Sequence, residues 1–455
     1  MRRAIATLGC AAALLAASLS TTTTAGATQA PSTGVGSSSP AELGATTGAP
    51  VTVTTDPVGL SVEYQVLASD LGSGSCPPPA LVSTIAALGA PTIRIGGDSE
   101  DQTAPAGTPQ FTGVTDLPQA FWSQLGCLDS QTHEPIVVGL NLASQIPAWA
   151  ATIAAQARSA IPANLLSFEI GNEPDIDGPS IAWWNATAPA KSLLPFSTYL
   201  DDAQAVEQQL GPGTVIEGPD FATPRWLSEI PQIAAALSLH AIDVHFYPLN
   251  ACTGARQATV RALLSPGVSE LSGFVKEMLG AANEVHLPML ISESNSVACR
   301  GKPGVSDSAA SAVWGLRLVI NAIRGGIQSV RFHSSGSTYD PFLVGADGSI
   351  TLRPLYDGLE TAVQLLPVGA TVRTLRTPSD LMGVLVTSPT GAKTYVVTSY
   401  AAKPVAVALL SSHTATVLRV QSAAPVIEPQ ATARPNTGVL TITVRPNSVV
   451  AITPR

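Results

Sequence analysis

Leu165-Leu-Ser-Phe-Glu-Ile-Gly-Asn172-Glu173-Pro174 is an apolar run of strand length that ends at a glutamate, and Pro288-Met-Leu-Ile-Ser292-Glu293-Ser-Asn295 repeats the pattern later in the chain. A carboxylate at the end of a buried strand costs free energy unless it is paired or used. Two of them suggest an acid and a nucleophile, the pair a retaining glycosidase needs, standing roughly 5 to 6 Å apart, against about 6.5 to 9.5 Å in an inverting enzyme.

Outward from these two runs the chain alternates. Strand-like runs fall at 59–67, 91–97, 135–142, 165–171, 214–218, 241–247, 288–292 and 329–333, with helix-like stretches such as 79–88, 194–210, 271–282 and 308–323 between them. Eight apolar strands alternating with helices predict an α/β fold, a (β/α)8 TIM barrel over residues 57–367. The competing arrangement is an open doubly wound sheet, but no G-x-G-x-x-G or Walker loop follows the first strand. Past Val368 the runs 371–376, 381–387, 393–399, 405–410, 415–420, 439–444 and 449–453 are short, β-branched and broken by Pro, Gly and Ser. They predict a C-terminal antiparallel β-sandwich domain over 368–455. Residues 50–56, ahead of the first barrel strand, read as a strand that crosses over to join the sandwich.

Composition narrows the function. Of 455 residues 45% are hydrophobic and 12% charged, which means a large core, and a net charge of −9 argues against nucleic acid as a partner. Arg2 and Arg3, the apolar stretch 4–19 and Ala25-Gly26-Ala27 have the form of a signal peptide over 1–27, followed by a flexible Thr/Ser/Gly leader over 28–49. A secreted location follows, extracellular or at the cell wall. No later segment is long and apolar enough to span a membrane. With Cys10 in the signal, Cys76, Cys127, Cys252 and Cys299 form an even set for which three disulfide pairings are open. No metal and no cofactor is expected, since neither Cys-x-x-Cys nor His-x-x-x-His occurs.

Barrel enzymes draw their active sites from the C-terminal ends of the strands. Here those ends carry Glu63 and Tyr64, then Arg94 and Gly96-Gly97-Asp98-Ser99, Asn141, Asn172 and Glu173, His245 and Tyr247, Glu293 and Asn295, and His333. Taken singly each has a structural explanation; clustered at one end of many strands they favour a shared cleft. Asn172-Glu173-Pro174 after strand four and a Glu closing strand seven resemble clan A of the barrel glycosidases. The series Gly59-Leu-Ser-Val-Glu63-Tyr64, Arg94-Ile-Gly-Gly-Asp98-Ser99, Glu169-Ile-Gly-Asn-Glu173-Pro-Asp175, Asp243-Val-His-Phe-Tyr247-Pro and Glu293-Ser-Asn-Ser is similar to glycoside hydrolase family 79, which holds β-glucuronidases and heparanase.

The resemblance implies Glu173 as acid/base, Glu293 as nucleophile with Tyr247 donating to it, and His245 in support. It implies that Asn172 holds the sugar 2-hydroxyl and that Glu63 and Asp98 bind further hydroxyls. Tyr339, after strand eight, is available for a uronate carboxylate, whereas Ala298 stands where the family has a tyrosine; Arg300 and Lys302 are nearby cations. Trp183 and Trp184 are candidates to stack on the leaving group. Cys252 follows strand six and Cys299 strand seven, so a bridge between them would pin adjacent loops and leave Cys76 to pair with Cys127. The expected activity is an exo-acting β-glucuronidase on a carbohydrate substrate. Another retaining glycosidase of the clan (β-glucosidase, β-xylosidase or arabinofuranosidase) and an inactive carbohydrate-binding protein are the alternatives.

Overall fold

The computed structural model describes residues 40–108, 115–176, 193–252, 258–271, 273–411, 414–422, 427–433, 436 and 438–455. The signal peptide, most of the leader, and Trp183 and Trp184 lie outside them.

Eight parallel strands close into a barrel: Val58–Glu63, Ile93–Gly96, Ile136–Leu140, Leu165–Ile170, Ile216–Phe221, Leu239–Phe246, Met289–Ser294 and Val330–Ser334. Each pairs with its successor, and the eighth returns to the first through Val330 against Val58 and Ser334 against Val62. Helices between them cover the barrel, among them Gln119–Thr132, Pro147–Ala160, Phe196–Leu210 and Ala309–Gly325. Residues facing the helices are Val, Ile and Leu, as in Val58, Leu60 and Val62, whereas Ser61 and Glu63 on the alternate positions face inward. The barrel axis is therefore polar near its top, and a cluster of charge sits there.

The C-terminal part is a seven-stranded sheet facing a three-stranded one. The larger contains Thr46–Thr52, Thr371–Leu375, Leu381–Thr387, Lys393–Ser399, Ser448–Pro454, Ala415–Gln421 and Ile427–Ala433 in that order; the smaller holds Ala41–Leu43, Val405–Leu410 and Val439–Val444. Alternation along one strand serves two cores. Val449 and Ala451 pack into the barrel core, while Val450 and Ile452 enter the core between the two sheets with Leu43, Val407 and Ile442. Arg317 ties the parts together, donating to Thr398 Oγ1 at 2.7 Å and to the Leu264 and Ser399 carbonyls, under the Tyr400 ring.

Several boundaries differ from the reading of the sequence: strand one, read at 59–67, is Val58–Glu63, and Tyr64–Leu71 is a helix. The leader is shorter than 28–49, because Ala41–Leu43 and Thr46–Thr52 are strands. The crossing strand, read at 50–56, is Thr46–Thr52, in antiparallel register with Thr371–Leu375. Its Thr, Gly and Ala content reflects a largely exposed strand with little apolar surface to bury. Strand five runs to Phe221, three residues past the expected end, and so carries Asp220 into the interior.

Candidate active site

Glu293 closes barrel strand seven and is 6% exposed. Tyr247 donates its hydroxyl to Oε1 at 2.7 Å, and Arg94 donates Nη1–H to Oε2 at 2.7 Å. His333 Nδ1 lies 3.4 Å from the same Oε2. Burial alone would raise this carboxyl, but the charges of His333, His245 and Arg94 and the Tyr247 hydroxyl hold it down, to about 2. It is an ionised carboxylate at any ordinary pH.

Glu173 is placed differently. It follows strand four with φ of 48°, a left-handed backbone that non-glycine residues avoid, and is half-buried. Its Oε1 lies 2.9 Å from His245 Nδ1. One oxygen of Glu173, one of Glu293 and a His245 ring nitrogen all fall within 4.8 Å of one another.

Both glutamates line an open cavity of about 640 Å³ with Glu63, Asp98, His245, Tyr247, Ala298, Arg300, His333, Ser335 and Tyr339. Glu63 accepts the Ser99 N–H at 2.8 Å and faces His333 Nε2 at 3.3 Å. Gly97, with φ of 76°, lets the chain pass here; a Cβ on it would lie 2.9 Å from Glu63 Oε1 and 2.8 Å from the His333 ring. Asn172, just below, accepts from Arg94 Nη2 at 3.2 Å and donates to Asp98 at 3.3 Å. Tyr339 is buried with its ring 6.3 Å from that of Tyr247, its hydroxyl accepting from Ser335.

Other residues named from the sequence go elsewhere. Asn141 donates to the Asp101 and Thr103 carbonyls and so holds a loop. Lys302 donates to the Ala258 carbonyl and does not line the cavity, whereas Arg300 does line it and donates to the Ser335 carbonyl. Cys299, Arg300 and Gly301 have φ of 63°, 69° and 78°, a left-handed turn on the cavity wall that the Cys252–Cys299 disulfide anchors; Cys76 is bonded to Cys127.

Beneath the cavity lies a charged layer that the strand-end reading missed. Arg94 meets Glu169 and Glu293 directly, with Glu100 at 3.5 Å and Asp220 at 3.6 Å; Arg331 bridges Glu169 at 3.3 Å and Glu217 at 2.7 Å. The signal was present in Glu169 and in Glu217-Gly-Pro-Asp220, acids inside apolar runs. Glu169, Asp220 and Asp243 are close enough to hold a cation, as are Glu173, His245 and Glu293. In the second group the atoms are already engaged with one another, Tyr247 and Arg94.

These environments set a pH dependence. Burial pushes Asp98 up to about 7, with Glu63 adding to it, and pushes Asp70 up to about 7, with Asp340 adding. A carboxyl raised in the folded state stabilises the fold fully below its unfolded pKa, near 4, and loses that contribution as pH rises through 7. His245 and His333, raised above 6.5 in the fold, act in the same direction. Glu293 has the opposite sign: its contribution is present above its ordinary 4.5 and lost as pH falls through about 2. The melting temperature is therefore expected to fall between pH 5 and pH 8, and calorimetry showing a rise over that interval would contradict these assignments.

Among the solved structures alike in fold are several glycoside hydrolases. A 4-O-α-L-rhamnosyl-β-D-glucuronidase from Fusarium oxysporum 12S superposes with a TM-score of 0.67 at 18% identity, over 90% of this chain and 99% of that one. A family 51 arabinofuranosidase from Xanthomonas axonopodis pv. citri gives 0.67 at 13%, over 89% and 98%. A family 30 endoxylanase from Clostridium papyrosolvens C71 gives 0.55 at 10%, over 91% and 99%. At such identities the likeness is one of fold. No family model matches the sequence, and a search of curated proteins finds no relative. Among the described residues no helix is long and apolar enough to cross a membrane.

Proposed function

We propose that the protein is a retaining glycoside hydrolase in which Glu293 is the nucleophile and Glu173 the acid/base. The observation that carries this is the unequal pair: two carboxylates with oxygens within 4.8 Å, one locked as an anion by Arg94, His333 and Tyr247, the other more exposed and bonded to His245. Oxygens this near are compatible with the short carboxyl spacing of a retaining pair. A Glu293 oxygen attacks the anomeric carbon as Glu173 gives its proton to the departing oxygen. Glu173 then takes a proton from water, whose oxygen displaces Glu293 from the sugar. Asn172 is at hand for the 2-hydroxyl, and Glu63 and Asp98 for other hydroxyls. A secreted location agrees with the leader-like N-terminus and the two disulfides.

For the sugar we propose a β-linked glucuronate at a chain end. Arg300, Ser335 and Tyr339 supply a cation and hydroxyls on one wall, and the motif series leans the same way. Ala298 and the acids Glu63 and Asp98 favour a second reading, a neutral β-glucoside, β-xyloside or arabinofuranoside. Donors left unpaired in a dry pocket cost on the order of 2 kcal/mol or more. Catalytic efficiency on 4-nitrophenyl β-D-glucuronide is thus expected to exceed that on the β-D-glucoside by roughly thirty-fold or more. A ratio near one would move the reading to the neutral sugars, and no turnover of any aryl glycoside in a panel would leave a binding protein.

A further inference from the structure

We infer that Asp220 is a positioning residue for the acid/base, acting through His245 along a continuous line from Asp220 to His245 to Glu173. The inference rests on the assignment of Glu173 given above. His245 is 2% exposed, and both of its ring nitrogens face carboxylates: Nδ1 is 2.9 Å from Glu173 Oε1 and Nε2 is 3.1 Å from Asp220 Oδ1. That same Oδ1 accepts the Ser292 hydroxyl at 2.8 Å and has Arg94 Nη2 at 3.6 Å.

An oxygen surrounded in this way belongs to an ionised, acceptor-only carboxylate, so the hydrogen between it and the ring is carried by Nε2. The charges that face His245 are Arg94 on strand two, Glu173 after strand four, Asp220 on strand five and Glu293 on strand seven. Burial lowers the imidazole's affinity for a second proton, but Glu293 and the bonds to Asp220 and Glu173 more than reverse that, and burial of Asp220 is likewise outweighed, first by Arg94. His245 is then an imidazolium donating from both nitrogens. Its Nδ1–H holds Glu173 Oε1, which leaves Oε2 to carry the proton toward the glycosidic oxygen.

Backbone geometry supports the line independently. Glu173 and Asp220, its two ends, have φ of 48° and 54°. Non-glycine residues persist in that region only where their surroundings over-determine them, most often at functional positions. Asp220 has no route to substrate of its own: it is buried below the cavity and absent from its lining.

The test uses the full-length protein with 2,4-dinitrophenyl and phenyl β-D-glucuronides, or the same two leaving groups on whichever sugar the panel above selects. kcat/KM reports formation of the glycosyl-enzyme, which needs the acid only when the leaving group is poor. Asp220→Asn keeps the size of the side chain and removes its charge. It is expected to lower kcat/KM on the phenyl glycoside ten- to hundred-fold while leaving the dinitrophenyl value within about three-fold. In a Glu173→Ala background it should add no loss selective for the phenyl glycoside. If Asp220→Asn does not fold, His245→Gln, which cannot bridge both carboxylates, should cost the phenyl glycoside at least about ten-fold more than whatever it costs the dinitrophenyl glycoside, and equal losses would count against the inference. Equal losses on both leaving groups in the folded variant, or an undiminished selective loss without Glu173, would overturn the inference. Failure of the underlying reading is distinct: Glu173→Ala alone would then show neither dependence on the leaving group nor rescue by azide.

Discussion

Glu293→Gln is expected to abolish turnover of every aryl glycoside, on the order of 10⁴-fold or more, with no rescue by a better leaving group. The substitution keeps the shape of a side chain that is almost wholly buried but removes the electron pair that Arg94, His333 and Tyr247 are arranged to keep available. Glu173→Ala should behave otherwise. Its kcat/KM on dinitrophenyl glycosides should stay near that of the unmodified protein and fall on the order of 10² to 10⁴-fold on phenyl glycosides. Azide should restore kcat and yield a glycosyl azide of unchanged anomeric configuration. Parallel, unrescuable losses in the two variants would leave the roles unassigned, and an azide of inverted configuration would exclude a covalent intermediate on Glu293.

Arg94→Met is expected to produce the largest loss of stability of any single substitution in the barrel. The guanidinium is fully buried and meets Glu169, Glu293, Glu100 and Asp220, so its removal strands several carboxylates away from water. Breaking one such buried partnership costs about 3 to 5 kcal/mol. The sign of the pH dependence is set by the acids left behind: stranded carboxylates bind protons, so the deficit should be greater at pH 8 than at pH 5. The measurement is chemical unfolding at both pH values, read as a lower midpoint at unchanged slope. A midpoint within experimental scatter of the unmodified protein, or a deficit greater at pH 5, would show that the layer does not depend on Arg94. In whatever fraction folds, loss of this cation lets the Glu293 pKa rise, and the acid limb of kcat/KM should move to higher pH.

What the sequence discloses about this molecule divides along a physical line. Strand positions, and the glutamates that end two of them, are local properties of apolar runs such as Leu165–Ile170 and Met289–Ser294, and they are readable without a structure. So are the sheet strands 381–387, a nearly continuous apolar run, and 439–444, whose alternation is clean. The crossing strand is legible but misplaced at 50–56, because the exposed strand Thr46–Thr52 needs few apolar residues to mark its start, and Ile427–Ala433 escapes because Glu428 and Pro429 break its pattern. Asp220 and Glu217 escape for another reason. Their significance lies in which strands become neighbours across the barrel axis, and no spacing along the chain encodes a partner tens of residues away on each side. The difference between Arg300 and Lys302 turns on a left-handed turn three residues long, below the resolution of any pattern.

A strand made before the barrel belongs to a sheet completed after it. Thr52 lies beside Thr371, about 320 residues later, so strands from before and after the barrel are fastened into one sheet with the barrel strung between them. A growing chain can close its barrel while Thr46–Thr52 waits, with unfilled hydrogen bonds, for the C-terminal strands to emerge. A molecule shortened to begin at the barrel would present Thr371–Leu375 as an open edge, the kind of surface on which neighbouring chains add as further strands. A pull applied to the two ends would also enter the sheets first, through Ala41–Leu43 in the three-stranded sheet and Ser448–Pro454 in the seven-stranded one. Tension would have to shear or peel the sheets before it reached the eight strands that hold Glu173 and Glu293, so the sheets act as a mechanical shield for the cavity.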